Sequence, residues 1–371
     1  MKIGLLGFGF MGKTHSYAIH NMAYYYKQLP YEAEIAAVCT RHADTAKEAA
    51  ERYGFARWTV DEDELFGDPS IDIIDICTPN IWHYETLKKA IAAGKNIYCE
   101  KPLCVSYEQA AEVARLAREA GITAQIVFNY RFMSPMLRAK QLIEEGALGR
   151  IVSFRASYLH ASACDLTRKA GWKQSRTVGG GGVLFDLGSH AIDLIYHLCG
   201  EFESVVGRGQ IAYPERLGMD GERWKTDADE AFYMIATLKN GAVGTIEASK
   251  ITVGTNDDLC VDVYGERGAL KFSLMDPNWL YFYDNSEATG ELGGRNGFTR
   301  IECVGRYPEP GNVFPSVKAP IGWVRGHVES YHRFLDCVYN HTEPHPSFDD
   351  AAHVQWVMEE AYKSDGYRCL R

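Results

Sequence analysis

Short apolar runs alternate with amphipathic stretches over the first 125 residues of the chain. The runs KIGLLG, EIAAVCT, IDIIDICTP and NIYCE carry apolar residues at consecutive positions, which is typical of strands buried on both faces. Between them, DTAKEAAERYG, YETLKKAIAAGK and YEQAAEVARLAREAG have helical spacing, with Gly54 and Gly94 standing where two of these helices end. Strands that alternate with helices predict parallel βαβ units.

The pattern changes after residue 125. IVSFRASYLH alternates apolar and polar positions, as a strand with one solvated face does. EAFYMIATLKNGAVGTIEAS contains two such strands around Asn240 and Gly241, which is a strong hairpin signal. CVDVYGERGALKFSL predicts a second hairpin and WLYFYD a further strand, whereas residues 285–320 are rich in Gly, Pro and Asn and predict long loops.

Two further helices are predicted near the end of the chain, at about 323–340 and 349–364. The whole pattern predicts an α/β protein with two domains, residues 1–125 and 126–371. The second domain is predicted to contain a large, mainly antiparallel open sheet.

Composition narrows the class of protein. The 371 residues are 24% charged and 46% hydrophobic, and the formal net charge is −10. This acidic balance argues against nucleic acid or an anionic membrane as a partner, and no apolar run is long enough to span a membrane. Ten cysteines without a CxxC pair favour a cytoplasmic protein. The histidines of HTEPH and HVESYH match no recognised ligand spacing, so no metal site is predicted.

A glycine pattern follows the first strand. Gly7, Gly9 and Gly12 form G-x-G-x-x-G between a strand and a helix, the context in which glycines let the backbone approach a pyrophosphate. The alternative is a glycine-rich turn without a ligand. Thr40 and Arg41 follow the second strand, where an acidic residue would bind a free ribose 2′-hydroxyl. The cofactor is therefore predicted to be NAD or NADP, with a slight preference for NADP because Arg can pair with a 2′-phosphate.

Other candidate cofactor contacts lie in the glycine turn and at strand ends, because the carboxyl ends of parallel strands face the ligand crevice. They are Phe8, Phe10, Met11, Cys77, Thr78, Pro79, Asn80, His83, Glu100, Lys101 and Asn129. For Asn80 alone, a helix cap is an equally good interpretation. A lysine at a strand end beside a nicotinamide can polarise a carbonyl or help to remove an alcohol proton, which makes Lys101 a catalytic candidate.

The segment GGGGVLFDLGSHAIDLIYHL, residues 179–198, combines apolar residues with four ionisable ones. At 100° per residue, Asp186, His190, Asp193 and His197 fall within about 60° on one helix face. Burying such groups is expensive without partners or a function. We therefore expect His190 to be a proton acceptor, oriented by Asp186, whereas for His197 a structural role is the better interpretation.

The whole chain resembles the Gfo/Idh/MocA oxidoreductases. The segments that carry the resemblance are GFGFMGKTH, CTPNIWH, AIAAGKNIYCEKPL, NYRF and GGGVLFDLGSHAID, in order and at family spacing. Within the family they are most similar to levoglucosan dehydrogenase and related sugar 3-dehydrogenases, which carry a glutamate where this chain has Thr40. The resemblance implies a Rossmann domain followed by an α/β domain whose open sheet often forms an oligomer interface, here a homodimer or homotetramer.

The resemblance also implies site residues. Lys101, Asp186 and His190 are the implied catalytic residues, with Asp193 near the substrate and a cis peptide bond before Pro102. Independently, aromatic-rich segments offer stacking faces and hydrogen-bond donors for a sugar ring. The residues they contribute are Tyr130, Arg131, Arg155, Tyr158, His160, Trp172 and Lys173.

These residues predict an NAD(P)-dependent enzyme that oxidises a secondary hydroxyl of a sugar, glycoside or polyol to a ketone, or catalyses the reverse reaction. Lys101 and His190 share the handling of the hydroxyl proton, and the sequence leaves open which of them accepts it. One alternative is a lyase or glycosidase that oxidises its sugar transiently with tightly bound NAD. Another is a cofactor-sensing protein without turnover.

Overall fold

The computed structural model describes residues 1–26, 28–218, 221–286, 289–314, 316, 318–320 and 322–365. The chain divides into two compact units. The first contains Met1–Asn129, Tyr307–Ala319 and Val324–Gln355, and the second contains the rest of the described chain. Among the described residues, no helix combines the length and the apolar character that crossing a membrane requires.

The first unit is built on a six-stranded parallel sheet. Its strands are β1 Lys2–Leu6, β2 Glu34–Cys39, β3 Arg57–Thr59, β4 Ile73–Ile76, β5 Asn96–Cys99 and β6 Ala124–Ile126. They lie in the order β3-β2-β1-β4-β5-β6, and every neighbouring pair is parallel. This is the strand order of a doubly wound dinucleotide-binding fold, so the predicted βαβ units are confirmed.

Helices connect these strands. They are α1 Phe10–Tyr25, α2 Ala43–Tyr53, α3 Asp63–Phe66, α4 Asn80–Ala92 and α5 Tyr107–Ala120. Gly54 follows α2 with a φ of 76°, and Gly121 follows α5 with a φ of 66°. Both helices therefore end in the left-handed conformation that glycine adopts without a steric penalty.

The second unit is built on a mixed eight-stranded sheet. The strands from β7 onwards are β7 Ile151–Leu159, β8 Phe202–Gln210, β9 Glu215–Leu217, β10 Arg223–Lys225, β11 Ala231–Leu238, β12 Val243–Ser249, β13 Asp258–Gly265, β14 Gly268–Ser273, β15 Trp279–Asp284 and β16 Thr299–Glu302. The sheet order is β16-β15-β14-β13-β7-β12-β11-β8, and β9 and β10 form a separate hairpin. Only the β7–β12 pair of the described sheet is parallel, so the predicted α/β class with a mainly antiparallel second sheet is confirmed.

Three helices of the second unit accompany this sheet, namely α6 Ser134–Glu144, α7 Arg176–Gly179 and α8 Ser189–Cys199. The hairpin predicted at Asn240 and Gly241 joins β11 and β12, and Gly241 has a φ of 85°. The loop prediction for residues 285–320 was incomplete because it missed β16, which pairs with β15. A four-residue edge strand carries too little periodicity to stand out from its flanking loops.

The last two helices are α9 Trp323–Asn340 and α10 Phe348–Ser364, close to the predicted bounds. The predicted domains 1–125 and 126–371 stay a prediction, and the compact units differ from them in grouping Val324–Gln355 with the first unit. Tyr331, Phe334 and Leu335 of α9 are fully buried in the same hydrophobic core as the first strand. The sequence predicted this helix but gave no sign of which sheet covers its apolar face.

Candidate active site

The three glycines of the turn after β1 have different surroundings. Gly7 has a φ of 88°, and a Cβ there would lie 2.7 Å from the Cys77 carbonyl oxygen. A Cβ on Gly12 would overlap the Gly7 carbonyl oxygen, whereas one on Gly9 meets no atom of the described residues within 4 Å. Gly7 therefore permits the tight turn, Gly12 permits close packing of α1, and Gly9 leaves open space where a pyrophosphate can approach.

The start of α1 suits an anionic ligand. At its N-cap residue, Gly9, this helix has no side-chain cap, and a helix N-terminus presents main-chain N–H groups that can bind an anion. Of the other turn residues, Phe8 packs edge-on against Phe55 in the core, 5.4 Å between ring centroids, whereas Phe10 is 73% exposed and Met11 is half-buried. A hydrophobic side chain in the core does not contact a pyrophosphate, so only the backbone of Phe8 remains a candidate contact.

The two residues predicted to select the cofactor lie just after β2. The Thr40 hydroxyl donates a hydrogen bond to the His42 carbonyl oxygen at 2.8 Å. The Arg41 side chain is exposed to solvent. An exposed guanidinium can swing towards a ribose 2′-phosphate, but it can equally remain solvated, so the preference for NADP stays a prediction.

Two buried polar atoms of the first unit are suited to a ligand. Thr78 Oγ1 and Asn129 Nδ2 are buried, and neither has a hydrogen-bond partner among the described residues. An unsatisfied buried donor or acceptor costs free energy, which a bound ligand can recover. Both residues follow carboxyl ends of strands in the parallel sheet, where a dinucleotide binds. Together with the open space at Gly9, these atoms fit a dinucleotide cofactor.

The remaining residues of the CTPN segment begin α4. Pro79 is the N-cap residue and Asn80 is the first helical residue, 8% exposed. The buried His83 ring has Nε2 2.8 Å from the Thr78 carbonyl oxygen and Nδ1 3.0 Å from the Pro102 carbonyl oxygen. His83 was predicted to contact the cofactor, but both of its ring nitrogens face main-chain carbonyls. In the structure it joins the CTPN turn to the segment that carries Lys101.

A buried cluster of charged groups lies beside Lys101. His15 Nδ1 is 2.9 Å from Asp75 Oδ1, and His15 Nε2 is 3.1 Å from Glu100 Oε1. The other oxygen of Glu100 accepts a hydrogen bond from the Lys101 main-chain N–H at 3.1 Å. Tyr331 donates its hydroxyl to Asp75 at 3.1 Å. Lys101 is therefore attached through its own main chain to an ionic network, and the peptide bond that follows it, to Pro102, is cis.

The protonation states follow from this arrangement. Burial by itself lowers the pKa of His15, but the Asp75 carboxylate raises it well above the ordinary value. Burial raises the pKa of Glu100, yet its hydrogen bond to His15 and the charge of His15 lower it overall. His15 is thus an imidazolium that donates from both nitrogens to two carboxylates. Cys77, a predicted cofactor contact, also lies beside this network, with its Sγ 3.2 Å from His15 Nδ1.

In the second unit, the four glycines at 179–182 bring the chain into the helix that carries Asp186 and His190. Gly180 has a φ of 81°. A Cβ on Gly182 would overlap the backbone of Asp229. The Asp229 carboxylate accepts hydrogen bonds from the N–H groups of Gly182 and Leu184, both at 3.1 Å. Asp229 therefore satisfies the N–H groups at this helix start, and glycine is needed because the two backbones touch.

The helix itself begins with a π-helical turn, Leu184–Gly188, and continues as α8. The expected angles on the helix face assumed a regular α-helix with 100° per residue. The π turn contains Asp186, so the angle between Asp186 and the later residues differs from that expectation. The apolar flank is buried as expected, with Ala191, Leu194 and Ile195 fully inaccessible. His190 is 8% exposed. π-turns within helices are often found at functional sites.

Aromatic rings surround His190. The Tyr130 ring lies edge-on at 4.8 Å between centroids, and the Tyr158 ring at 5.9 Å. The two tyrosine hydroxyls are 2.5 Å apart, and Tyr158 donates to Asp257 at 2.6 Å. Trp323 Nε1 donates to the Tyr130 hydroxyl at 3.0 Å, so the hydrogen-bond chain runs from Trp323 towards Asp257. Both hydroxyls thus have protein partners, and both rings are fixed beside His190.

His160 is the last residue of this hydrogen-bond chain, with its Nε2 2.8 Å from Asp257 Oδ1. Burial raises the pKa of Asp257, but the hydrogen bonds from His160 and Tyr158 lower it overall, so Asp257 remains a carboxylate. The predicted substrate contact of Tyr158 stays a prediction, and the structure shows its hydroxyl in the hydrogen-bond network.

Asp193 and Arg131, both predicted substrate contacts, bind each other. Arg131 Nε lies 3.0 Å from both Asp193 oxygens, and Arg131 Nη2 lies 2.6 Å from Oδ1. Their side chains are only 5% and 1% exposed. A bidentate buried pair is a rigid attachment between α8 and the Asn129–Phe132 turn. His197 is half-buried, and its carbonyl oxygen accepts from Lys140 Nζ at 2.9 Å.

Asp186 lies between two lysines. Lys173 Nζ is 2.8 Å from Asp186 Oδ1, and Lys250 Nζ is 2.8 Å from Asp186 Oδ2. The Asp186 side chain is 17% exposed. Trp172, the neighbour of Lys173, is 39% exposed, so its predicted contact with a sugar stays a prediction.

Comparison with known proteins assigns the chain to a family. Residues 1–128 match an oxidoreductase family with an NAD-binding Rossmann fold, and residues 136–271 match the GFO/IDH/MocA C-terminal domain. The levoglucosan dehydrogenase of Pseudarthrobacter phenanthrenivorans is 30% identical over 377 residues, covering 98% of this chain and 96% of that protein. The chain belongs to the Gfo/Idh/MocA family of oxidoreductases.

Other members of the Gfo/Idh/MocA family agree with this assignment. The D-xylose dehydrogenase of Paenarthrobacter nicotinovorans is 31% identical over 56% of this chain and 55% of its own length. A solved structure of levoglucosan dehydrogenase in complex with NADH and levoglucosan has a TM-score of 0.93 and 30% identity, and it covers 98% of this chain and 97% of that chain. The family and the NAD-binding Rossmann domain predicted from sequence are therefore confirmed.

Sequence reasoning missed several residues of the networks in this Gfo/Idh/MocA protein, among them His15 and Lys250. His15 was quoted only as the last letter of GFGFMGKTH, and Lys250 was not singled out at all. A signal for His15 existed, since it is an ionisable residue on an otherwise buried face of α1. For Lys250 no local signal existed, because one lysine after a strand is most often a surface residue.

Proposed function

We propose that this oxidoreductase is an NAD(P)-dependent dehydrogenase that oxidises a secondary hydroxyl of a sugar, glycoside or polyol to a ketone, or catalyses the reverse reaction. The observation that carries the proposal is full-length similarity to a levoglucosan dehydrogenase, together with a glycine turn that fits a dinucleotide. When bound, the nicotinamide supplies the hydride acceptor.

The chemistry of the substrate is assigned to Lys101, His190 and Asp186. Removing the hydroxyl proton and stabilising the developing charge on its oxygen are divided between Lys101 and His190. Edge contacts with Tyr130 and Tyr158 support His190 in this role, because they restrict the orientation of its ring. The attachment of the Lys101 main chain to Glu100 supports Lys101 in the same way.

We also propose that the cofactor is held by the residues named from the sequence. The main chain of Gly7–Gly12 and the side chains of Thr78 and Asn129 are its best supported contacts. The choice between NAD and NADP rests on Thr40 and Arg41. The exposed Arg41 side chain supports use of NADP, while the relative with levoglucosan was solved with NADH.

We propose further that the protein is a cytoplasmic homodimer or homotetramer that associates through the open face of the second sheet. Val206, Ile235 and Thr245 occupy one row across β8, β11 and β12. Val206 is 49% exposed and Ile235 is 59% exposed. Exposed apolar side chains in one row of a sheet are typical of an interface between subunits.

The proposed dehydrogenase activity is tested by measuring reduction of NAD⁺ and NADP⁺ in parallel across a panel that includes levoglucosan, D-xylose, inositols and glycosides. We expect net, sugar-dependent reduction with at least one member of the panel. We expect Lys101→Ala to abolish it while the cofactor still binds. Tight NAD binding with sugar cleavage but without net reduction would instead favour a lyase or glycosidase, and undiminished turnover of Lys101→Ala would remove Lys101 from the mechanism.

A further inference from the structure

The Asp186 carboxylate has two ammonium partners that differ in their surroundings. The Lys250 side chain is 12% exposed, whereas the Lys173 side chain is 47% exposed. Both nitrogens lie 2.8 Å from an Asp186 oxygen. Ion pairs with an exposed partner contribute little because water and salt screen them, whereas a less exposed pair is screened less. Lys250 is therefore the stronger of the two partners.

The backbone places Lys250 independently of its side chain. Lys250 follows β12 directly, its N–H donates to the Glu230 carbonyl oxygen at 2.8 Å, and its carbonyl oxygen accepts from the Ala163 N–H at 2.8 Å. Lys173 lies instead in a short 3₁₀ turn, Trp172–Gln174, with its ammonium 5.6 Å from the Trp172 ring centroid. Because its main chain is hydrogen-bonded on both sides, pairing with Asp186 has to order only the side chain of Lys250.

Lys250 also acts on the carboxylate that holds the helix start. Burial raises the pKa of Asp229 overall, while the Lys250 charge is among the influences that lower it. Asp229 accepts hydrogen bonds from Gly182 and Leu184, which precede Asp186. The Lys250 ammonium thus acts both on the Asp186 carboxylate and on the Asp229 carboxylate, which holds the main chain just before Asp186. Charged and titratable groups near Asp186 include Lys173, Lys250, Asp229 and Tyr130, with His190 one turn along the helix.

We propose that Lys250 is a positioning residue for the dehydrogenation, which holds the Asp186 carboxylate in place beside His190 through the ion pair at 2.8 Å. The proposal rests on the proposed function, because Asp186 and His190 are assigned there as the site of the hydroxyl chemistry. Lys250 acts through Asp186 and is distinct from Lys101, which acts on the substrate oxygen.

The test compares Lys250→Met and Lys250→Gln with Lys173→Met in the full chain, using the sugar that gives the highest rate of cofactor reduction. Both Lys250 variants lose a hydrogen bond to a charged group that is poorly exposed. We expect the loss to lower kcat on the order of 10- to 100-fold. Lys173→Met should lose only about two- to threefold. Lys239→Met, which removes an exposed lysine paired with Glu201, is the control and should keep full activity.

Three readouts separate positioning from a general structural effect. The acidic limb of the kcat/KM profile should move to higher pH in the Lys250 variants, because removal of a nearby cation raises the pKa of a carboxylate. Lys250→Arg should restore most of kcat, since it keeps the charge. The KM for the cofactor should not change. Unchanged kcat, an unmoved acidic limb, or failure of Lys250→Arg to restore activity in a folded variant would each overturn the proposal.

Reference variants distinguish this failure from failure of the proposed function. Lys101→Ala and His190→Asn should each abolish sugar-dependent reduction. If they do so while the Lys250 variants keep full activity, only the role of Lys250 is wrong. If Lys101→Ala and His190→Asn keep full activity, the proposed site itself is wrong, and the role of Lys250 is wrong with it. If Lys250→Met does not fold, Lys250→Gln and Lys250→Arg still supply the comparison.

Discussion

At the scale of single residues, two buried histidines of the first unit hold opposite protonation states. His15 is protonated between Asp75 and Glu100. Burial lowers the pKa of His327 to about 3, and the charge of His15 lowers it as well. The ring centroids of the two histidines lie 6.1 Å apart. Burial therefore keeps His327 neutral, and the proton on His15 adds to this effect because two adjacent buried cations are unfavourable.

The neutral state of His327 predicts a loss of stability in acid. The unfolded chain binds a proton at His327 below pH 6.5, whereas the folded chain does so only near pH 3. The stabilisation is therefore fully present above pH 6.5 and is lost as the pH falls towards 3, at up to about 1.4 kcal/mol per pH unit. In urea unfolding at a series of pH values, His327→Gln should lose stability less steeply than the wild type.

The control for this experiment is His345→Gln, since the His345 side chain is 68% exposed. Its stability should follow the wild type across the pH range. If His327→Gln and the wild type lose stability in parallel below pH 6.5, His327 is not the neutral buried group described here.

The glycine turn allows binding and folding to be tested separately. A Cβ on Gly9 meets no described atom within 4 Å, whereas one on Gly12 overlaps the Gly7 carbonyl oxygen. Gly9→Ala should therefore keep the Tm of the cofactor-free protein but lose most of the increase in Tm that NAD or NADP produces. Gly12→Ala should lower the Tm without any cofactor. Equal behaviour of the two variants would contradict the distinct roles assigned to these glycines.

The site residues divide into those with a sequence pattern and those without one. Gly7, Gly9 and Gly12 were predictable because a tight turn, the approach of a ligand and close packing of α1 require glycine at a fixed spacing. Lys250 lies 64 positions after Asp186 in the chain, and the pair forms only once β12 is in the sheet. Contacts of this kind depend on tertiary structure, and a single sequence contains no periodicity that reports them.

At the scale of elements, close contact between two backbones constrains the entry into the helix of Asp186. Gly182→Ala should displace the start of this helix, because the added Cβ overlaps Asp229. Since backbone is displaced, we expect a loss of stability of roughly 1–3 kcal/mol and a strong fall in kcat. The matched control is Gly179→Ala, where the nearest atom among the described residues is the Trp172 carbonyl oxygen at 4.0 Å.

Gly179→Ala should keep nearly full kcat and stability in unfolding and rate measurements. If both glycine variants behave alike, the contact between Gly182 and Asp229 does not control the helix. The π turn within Leu184–Gly188 explains why sequence alone was insufficient here, since an i→i+5 turn has no composition that marks it.

Strands and helices with strong periodicity were the predictable elements. The hairpin at Asn240 and Gly241 has a specific turn signal, and α9 has a continuous apolar face. The short strands β3, β9, β10 and β16 were missed, because three or four residues are too few for alternation to be recognised.

At the scale of the whole molecule, the open sheet predicts association between copies of the chain. Ile235→Glu places a charge in the exposed apolar row, so the protein should change from a dimer or tetramer to a smaller species in analytical ultracentrifugation. Tyr24→Glu is the control, because Tyr24 is 77% exposed on α1, outside this sheet. An unchanged mass for Ile235→Glu would show that this face does not mediate assembly.

The division into units was the least predictable property of the whole chain. The boundary at 125/126 was inferred from a change of pattern and lies close to Asn129, the end of the first segment. Val324–Gln355 groups with the first unit because its apolar surface packs there. The Tyr98 and Ser330 hydroxyls, 2.8 Å apart, form one of the contacts that join this segment to the parallel sheet. Surface complementarity of this kind arises only in the folded chain.

The central claim is that this chain transfers a hydride from a sugar carbon to a nicotinamide, with Lys101 and His190 handling the hydroxyl proton. Its most direct test uses the most active sugar of the panel with deuterium on its carbinol carbons. We predict that the wild type forms reduced cofactor carrying one deuterium, seen by mass spectrometry, with a slower rate than for the unlabelled sugar, and that Lys101→Ala and His190→Asn form none. Reduced cofactor without deuterium, or labelled cofactor formed at the wild-type rate by both variants, would contradict the account.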